Sequence, residues 1–204
     1  MTPQQSMIMD AFNSEVYVSN RMDVQHTPVY DTVAIAAAGS LSVLTSALFT
    51  NVGPQSNKTL AQTNMTQSQR LVAPEAFSIF GFRFRWQENV LEADLLNILG
   101  ATTGGFCLEF YLGQKVYQRA PLWYFSAGGG IYGFSTKNND QILTNGNPTR
   151  ESMHKLAIPI VIENQMQFYG QLQGNTQTLT ASASGGTGFT CQLLLDGLYA
   201  RGVQ

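Results

Sequence analysis

Phe77-Ser78-Ile79-Phe80-Gly81-Phe82-Arg83-Phe84-Arg85-Trp86 decides how the rest of the chain is read. Phe80, Phe82, Phe84 and Trp86 recur at every second position, and Gly81, Arg83 and Arg85 fill the places between them. Successive side chains of a strand point to opposite faces. A strict period of two with aromatics on one side therefore predicts a half-buried β-strand. Aromatic rings also suit the pleated surface of a sheet. The two alternating arginines read as a solvated face.

The same period returns downstream. Phe106, Leu108, Phe110 and Leu112 face one way, and Cys107, Glu109 and Tyr111 the other. Gly113-Gln114 then makes a tight turn into a strand over 115–119. Leu156, Ile158, Ile160 and Ile162 alternate next, with Pro159 among them, which predicts an edge position or a bulge. Met166, Phe168 and Leu172 alternate with Gln167, Tyr169, Gln171 and Gln173; residues 177–183 are rich in Thr and Ser. Phe189, Cys191, Leu193 and Leu195 close the chain opposite Thr190 and Gln192. Only 88–99 breaks the pattern: Leu91, Leu95, Ile98 and Leu99 form a stripe at helical spacing, capped by Gly100.

Upstream, residues 33–38 and 41–49 read as strands around a Gly39-Ser40 break. Residues 1–30 are polar and without period, and read as an arm that orders against a neighbouring subunit or as a frayed terminus. The stretch 33–50 is uncharged and approaches the roughly 20 residues of a membrane span. Its glycine, serines and threonines, and the lack of a basic belt, argue against a span. About eight to ten short strands against one helix predict an all-β, antiparallel, jelly-roll-like sandwich. The expected organisation is an N-terminal arm over 1–30 and one β-sandwich domain over 31–204.

Composition narrows the function classes. Of 204 residues, 44% are apolar but only 12% are charged. Ordinary domains carry about twice that share of charge. Surface polarity must then come from amides and hydroxyls, which lie against protein without the cost of burying charge. The net charge is −2 and no Lys/Arg run exists, so a nucleic-acid footprint is not expected. The two cysteines, Cys107 and Cys191, read as buried free thiols, with a cross-strand disulfide left open. No basic-then-apolar leader opens the sequence, and synthesis in the cytoplasm is expected.

Catalytic and metal chemistry find no focus. The two histidines, His26 and His154, stand alone, and no Cys-x-x-Cys or His-x-His pair exists. No Gly-x-Ser-x-Gly elbow is present. Gly128-Gly129-Gly130 lacks the Lys-Ser/Thr ending of a phosphate cradle. Glu109 and Asp196 lie in strands that a sandwich can bring together, yet nothing marks them as a catalytic pair. The expectation is no enzyme activity, no cofactor and no metal. Aromatic residues remain as recognition candidates: Trp123, Tyr124 and Tyr132, with Phe125, cluster near the glycine-rich corner. Exposed, they anchor a protein interface or stack on sugars; buried, they are core.

Several phrases together resemble a known group. These are Leu71-Val72-Ala73-Pro74-Glu75-Ala76-Phe77, Tyr117-Gln118-Arg119-Ala120-Pro121-Leu122-Trp123-Tyr124-Phe125, Ile158-Pro159-Ile160-Val161-Ile162, and Leu194-Leu195-Asp196-Gly197-Leu198-Tyr199-Ala200-Arg201. Their order over residues 60–204 is similar to the jelly-roll cement, decoration or minor capsid proteins of bacteriophages. The resemblance implies a virion component, trimeric, that clamps adjacent capsomers by binding the major capsid protein. It transfers no catalytic residue. A major or minor shell subunit and a carbohydrate-binding sandwich remain the alternatives.

Overall fold

The computed structural model describes residues 22–35, 39–41, 47–53, 56–86, 99, 105–126, 146, 154–174, 177–179 and 189–202. In chain order these form β1 (Met22–His26), β2 (Val29–Ile35), β3 (Gly39–Leu41), β4 (Ala47–Leu48), β5 (Ala76–Trp86), β6 (Cys107–Leu112) and β7 (Lys115–Pro121). A 3-10 turn (Leu122–Phe125) follows, then β8 (His154–Ile162), β9 (Phe168–Gln173), β10 (Gln177–Leu179) and β11 (Phe189–Gly202). The segment read as an arm thus ends in strand: β1 and the start of β2 fall before residue 31. Gly39 and Ser40, read as a break, lie in β3. The expected helix over 88–99 lies outside the described residues except Leu99, which is helical and packs on the core.

Two antiparallel sheets carry the fold. The first runs β1-β11-β5-β8, with β2 beside β11 on the same edge as β1; the second runs β4-β9-β6-β7. The pairings are nested. β2 pairs with β11, β4 with β9, β5 with β8 and β6 with β7. Even the short pair β3 with β10 obeys the nesting. The chain is one long antiparallel hairpin, with its tip at Gly113-Gln114, wrapped over into two layers. That is the connectivity of a jelly roll.

The core lies between the layers. Phe77, Ile79, Phe82, Phe84 and Trp86 of β5 meet Leu108 and Phe110 of β6 and Phe168 and Leu172 of β9, all buried. Phe82 and Phe110 cross the layers edge to face, with ring centroids 5.2 Å apart. Each such ring contributes about 1.5–3 kcal/mol by burial. In β6 the expected alternation is found: Leu108, Phe110 and Leu112 point inward.

Phe80 departs from the expected pattern. It is only half-buried, whereas Phe77 and Ile79 are fully buried. Against β11, Gly197 pairs with Ile79 and Asp196 with Gly81, so Phe80 is an extra residue. One extra residue flips the parity of everything before it. Against β8, Ile79 pairs with Ile160 and Gly81 with Lys155, which leaves 156–159 looped out opposite Phe80. Pro159 therefore sits both at a bulge and on an edge strand. Ile158, expected to point inward, is turned out and 57% exposed. Gly197 is demanded by close approach: a Cβ there would lie 1.9 Å from the Ser78 carbonyl oxygen.

Candidate functional site

A jelly roll has two flanks where its layers end, and here they differ. On the β2/β4 flank, residues 49–53 and 56–75 wrap across both sheets. Asp31 in β2 is fully buried; its carboxylate accepts the Phe49 backbone N–H at 2.7 Å and the Lys58 ammonium at 2.7 Å. Thr32 Oγ1 donates to the Gln62 carbonyl at 2.7 Å, and Gln192 Nε2 donates to the Ala61 carbonyl at 2.9 Å. Asn64 ties in the β1–β2 corner, accepting the Tyr30 N–H and donating to the Pro28 carbonyl. The Phe168 N–H of the second sheet donates to the Gln69 carbonyl at 2.9 Å. These backbone and side-chain bonds tie the segment to both sheets.

The β7/β8 flank is built otherwise. β7 ends the second sheet and β8 ends the first; among the described residues β7 pairs only with β6, and β8 only with β5. The 3-10 turn bridges them. Its Leu122 and Phe125 are buried, and Phe125 lies 5.9 Å from Phe82, closing that end of the core. Trp123 and Tyr124 point outward, 52% and 43% exposed, edge to face with each other. Tyr124 also covers His154 at the start of β8, with rings 4.3 Å apart. Burial there lowers the His154 pKa below its ordinary value.

Val116 and Tyr117 of β7 and Ile158 of β8 extend this surface. Among the described residues these five account for every exposed large apolar side chain except Leu60. Scattered exposed apolar residues are ordinary; these five lie on β7, the turn and β8, whose outer edges pair with nothing among the described residues. The signal for Trp123 and Tyr124 was their aromatic run, and the structure places both on this flank. Tyr132 lies outside the described residues. Val116, Tyr117 and Ile158 went unread; Pro159 was the available clue to Ile158, since a bulge there upsets the alternation.

The candidate acids are kept apart. Glu109 lies on the outer face of the second sheet, nearly buried, where it accepts Arg119 Nε and the Tyr111 hydroxyl at 2.5 Å each and Gln173 Nε2 at 2.9 Å. Its grip on the Tyr111 proton pushes that phenol's pKa up. Asp196 lies on the outer face of the first sheet, held by both arms of the Arg83 guanidinium at 2.6 Å. Each acid is thus consumed by an arginine on a neighbouring strand. His26 in β1 and His154 in β8 sit at opposite edges of the first sheet. Among the described residues no three His, Cys, Asp or Glu side chains gather as a metal site would need. Cys107 and Cys191 are free thiols, the first half-buried and the second buried, and burial raises the pKa of both. Neither a protein-family model nor a curated protein matches the chain.

Proposed function

We propose that this chain is a structural protein of a virus particle: an oligomeric jelly-roll subunit that cements a shell by seating its β7/β8 flank against capsid protein. The exposed aromatic and aliphatic strip on that flank carries the reading. Trp and Tyr at the centre of a contact supply large area at low entropic cost, the pattern of binding hot spots. The outer face of the second sheet supports it. There Tyr111 and Tyr169 stack at 4.6 Å beside Gln171 and Gln173, and the one carboxylate, Glu109, is already neutralised. Such a face meets another protein without burying an unpaired charge. The jelly roll itself is shared by capsid, lectin and cupin domains, so the fold alone does not choose among them.

The complete nested roll also favours a second reading, in which the chain is the shell subunit itself. Sedimentation of the purified chain, alone and mixed with empty capsids, separates the two. A trimer that co-sediments with capsids supports cementing. Closed particles formed by the chain alone support a shell subunit. A monomer at all concentrations that ignores capsids, yet binds glycans through Trp123, would replace both with the carbohydrate-binding alternative.

A further inference from the structure

Among the described residues the outer edge of β7 pairs with nothing, and its charge pattern names an occupant. β7, the 3-10 turn and β8 carry Lys115, Arg119 and Lys155 and not one Asp or Glu. Arg119 is matched by Glu109 from β6; Lys115 and Lys155 are exposed. Cations on an edge strand repel the same edge of another copy, so β7 is poorly suited to pair with itself. It suits an extended segment of opposite charge that adds to the sheet through backbone hydrogen bonds.

Such a segment lies in the same chain. Residues 1–21 contain Asp10 and Glu15, and their one Lys or Arg, Arg21, sits next to β1. Ser14-Glu15-Val16-Tyr17-Val18-Ser19 combines one of these acids with three strong strand formers. The strand it leads into, β1, lies on the edge of the first sheet opposite β8. At about 3.3 Å per extended residue, residues 1–21 reach roughly 70 Å, ample to meet a neighbour. We infer that the N-terminal segment around Glu15–Val18 of one copy docks as an added strand on the β7 edge of a second copy. Joined this way, each copy gives an arm from its sealed flank and receives one on its open flank. That is a head-to-tail contact, which gives a ring such as a trimer where the rotation closes and an open filament where it does not. The inference rests on the oligomeric reading above and specifies the contact that makes the oligomer.

Two full-length proteins test it, both in a Cys107→Ser background: one carries Val16→Cys and the other Val116→Cys. Oxidation of the mixture should give a mixed covalent dimer far above the level either protein gives alone. Tyr17→Pro should convert the oligomer to monomer. Lys115→Glu with Lys155→Glu should weaken association roughly tenfold, as two inverted surface ion pairs allow, and Glu15→Lys should restore much of it. An oligomer untouched by Tyr17→Pro, with no mixed cross-link, overturns the arm contact and leaves the oligomeric reading standing. Cross-linking confined within single chains carrying both cysteines overturns the exchange between copies. A wild-type chain that stays monomeric overturns the oligomeric reading itself, and this inference with it.

Discussion

The β2/β4 flank and the β7/β8 flank solve the same problem in opposite ways. Both are places where two sheets end and backbone groups run out of partners. On the first flank, residues 49–53 and 56–75 supply those partners, and a fully buried Asp31 anchors the wrap. On the second, one turn of 3-10 helix plugs the core, and among the described residues the outer edges of β7 and β8 pair with nothing. The exposed rings of Trp123 and Tyr124 on the second flank are the basis for proposing it as the contact surface. Free sheet edges invite uncontrolled pairing. Here a bulge with Pro159 distorts β8, and Lys115 and Arg119 charge β7, so pairing is restricted and not abolished.

The comparison breaks most readily at Asp31. If it anchors the sealed flank, Asp31→Ala leaves the buried Phe49 N–H and the partly buried Lys58 ammonium without their carboxylate. Removing one partner of a buried pair costs about 3 kcal/mol or more. Urea unfolding should show that loss, and native-state hydrogen exchange should show residues 49–75 opening first. A loss below about 1 kcal/mol would mean that the wrap holds without its anchor.

The open flank should give the opposite signature. Trp123→Ala removes an exposed ring, so stability should change by less than about 0.5 kcal/mol. Association with capsid protein, or between copies, should weaken by about 2 kcal/mol, near thirtyfold, if the ring is a hot spot. Equilibrium sedimentation and unfolding on the same sample separate the two effects. A Trp123→Ala protein that unfolds easily and still associates normally would reverse the roles of the flanks. Glu109→Gln lies between these cases. It withdraws the charge that Arg119 grips, but Arg119 is 63% exposed and water compensates. The expected loss is about 1 kcal/mol by unfolding, and smaller in high salt.

Most of the sandwich was legible because alternation is a direct consequence of strand geometry. β6 could be read residue by residue, since it pairs with β9 without a shift and its irregularity with β7 puts the extra residue, Tyr117, on β7. β5 was legible as a strand and in the inward facing of Phe82, Phe84 and Trp86, but not at Phe80 and before it, because that extra residue is defined by what lies across from it. The nested pairing was invisible for the same reason: register and partner choice are properties of pairs of segments. Trp123 and Tyr124 were legible as candidates, since aromatic rings are either core or contact; their exposure had to come from the fold. The seal around Asp31 left no trace in spacing, because Asp31, Phe49 and Lys58 are joined only once the chain has wrapped. The short β1 was masked by its polar sequence, which pairs with the C-terminal half of β11 through backbone bonds and needs little apolar signal.

The smallest effect reports most directly on the open flank. His154 is held under Tyr124, and burial lowers its pKa from the ordinary 6.5. The unfolded chain therefore takes up a proton at a higher pH than the folded one. Stability contributed by the neutral imidazole is present above that unfolded value and is lost as pH falls below it, levelling once the folded histidine is protonated too. Unfolding at about pH 7.5 and about pH 5.5 should show wild type losing more stability in acid than His154→Phe, which keeps the ring contact and cannot titrate. The sign carries the information. Burial without a carboxylate predicts loss in acid, as does the absence of Asp and Glu from β7, the turn and β8. A gain in acid would place a carboxylate against His154. Were that gain to vanish in Glu15→Lys, the carboxylate would belong to the N-terminal segment, and the open flank of the isolated chain would already be occupied.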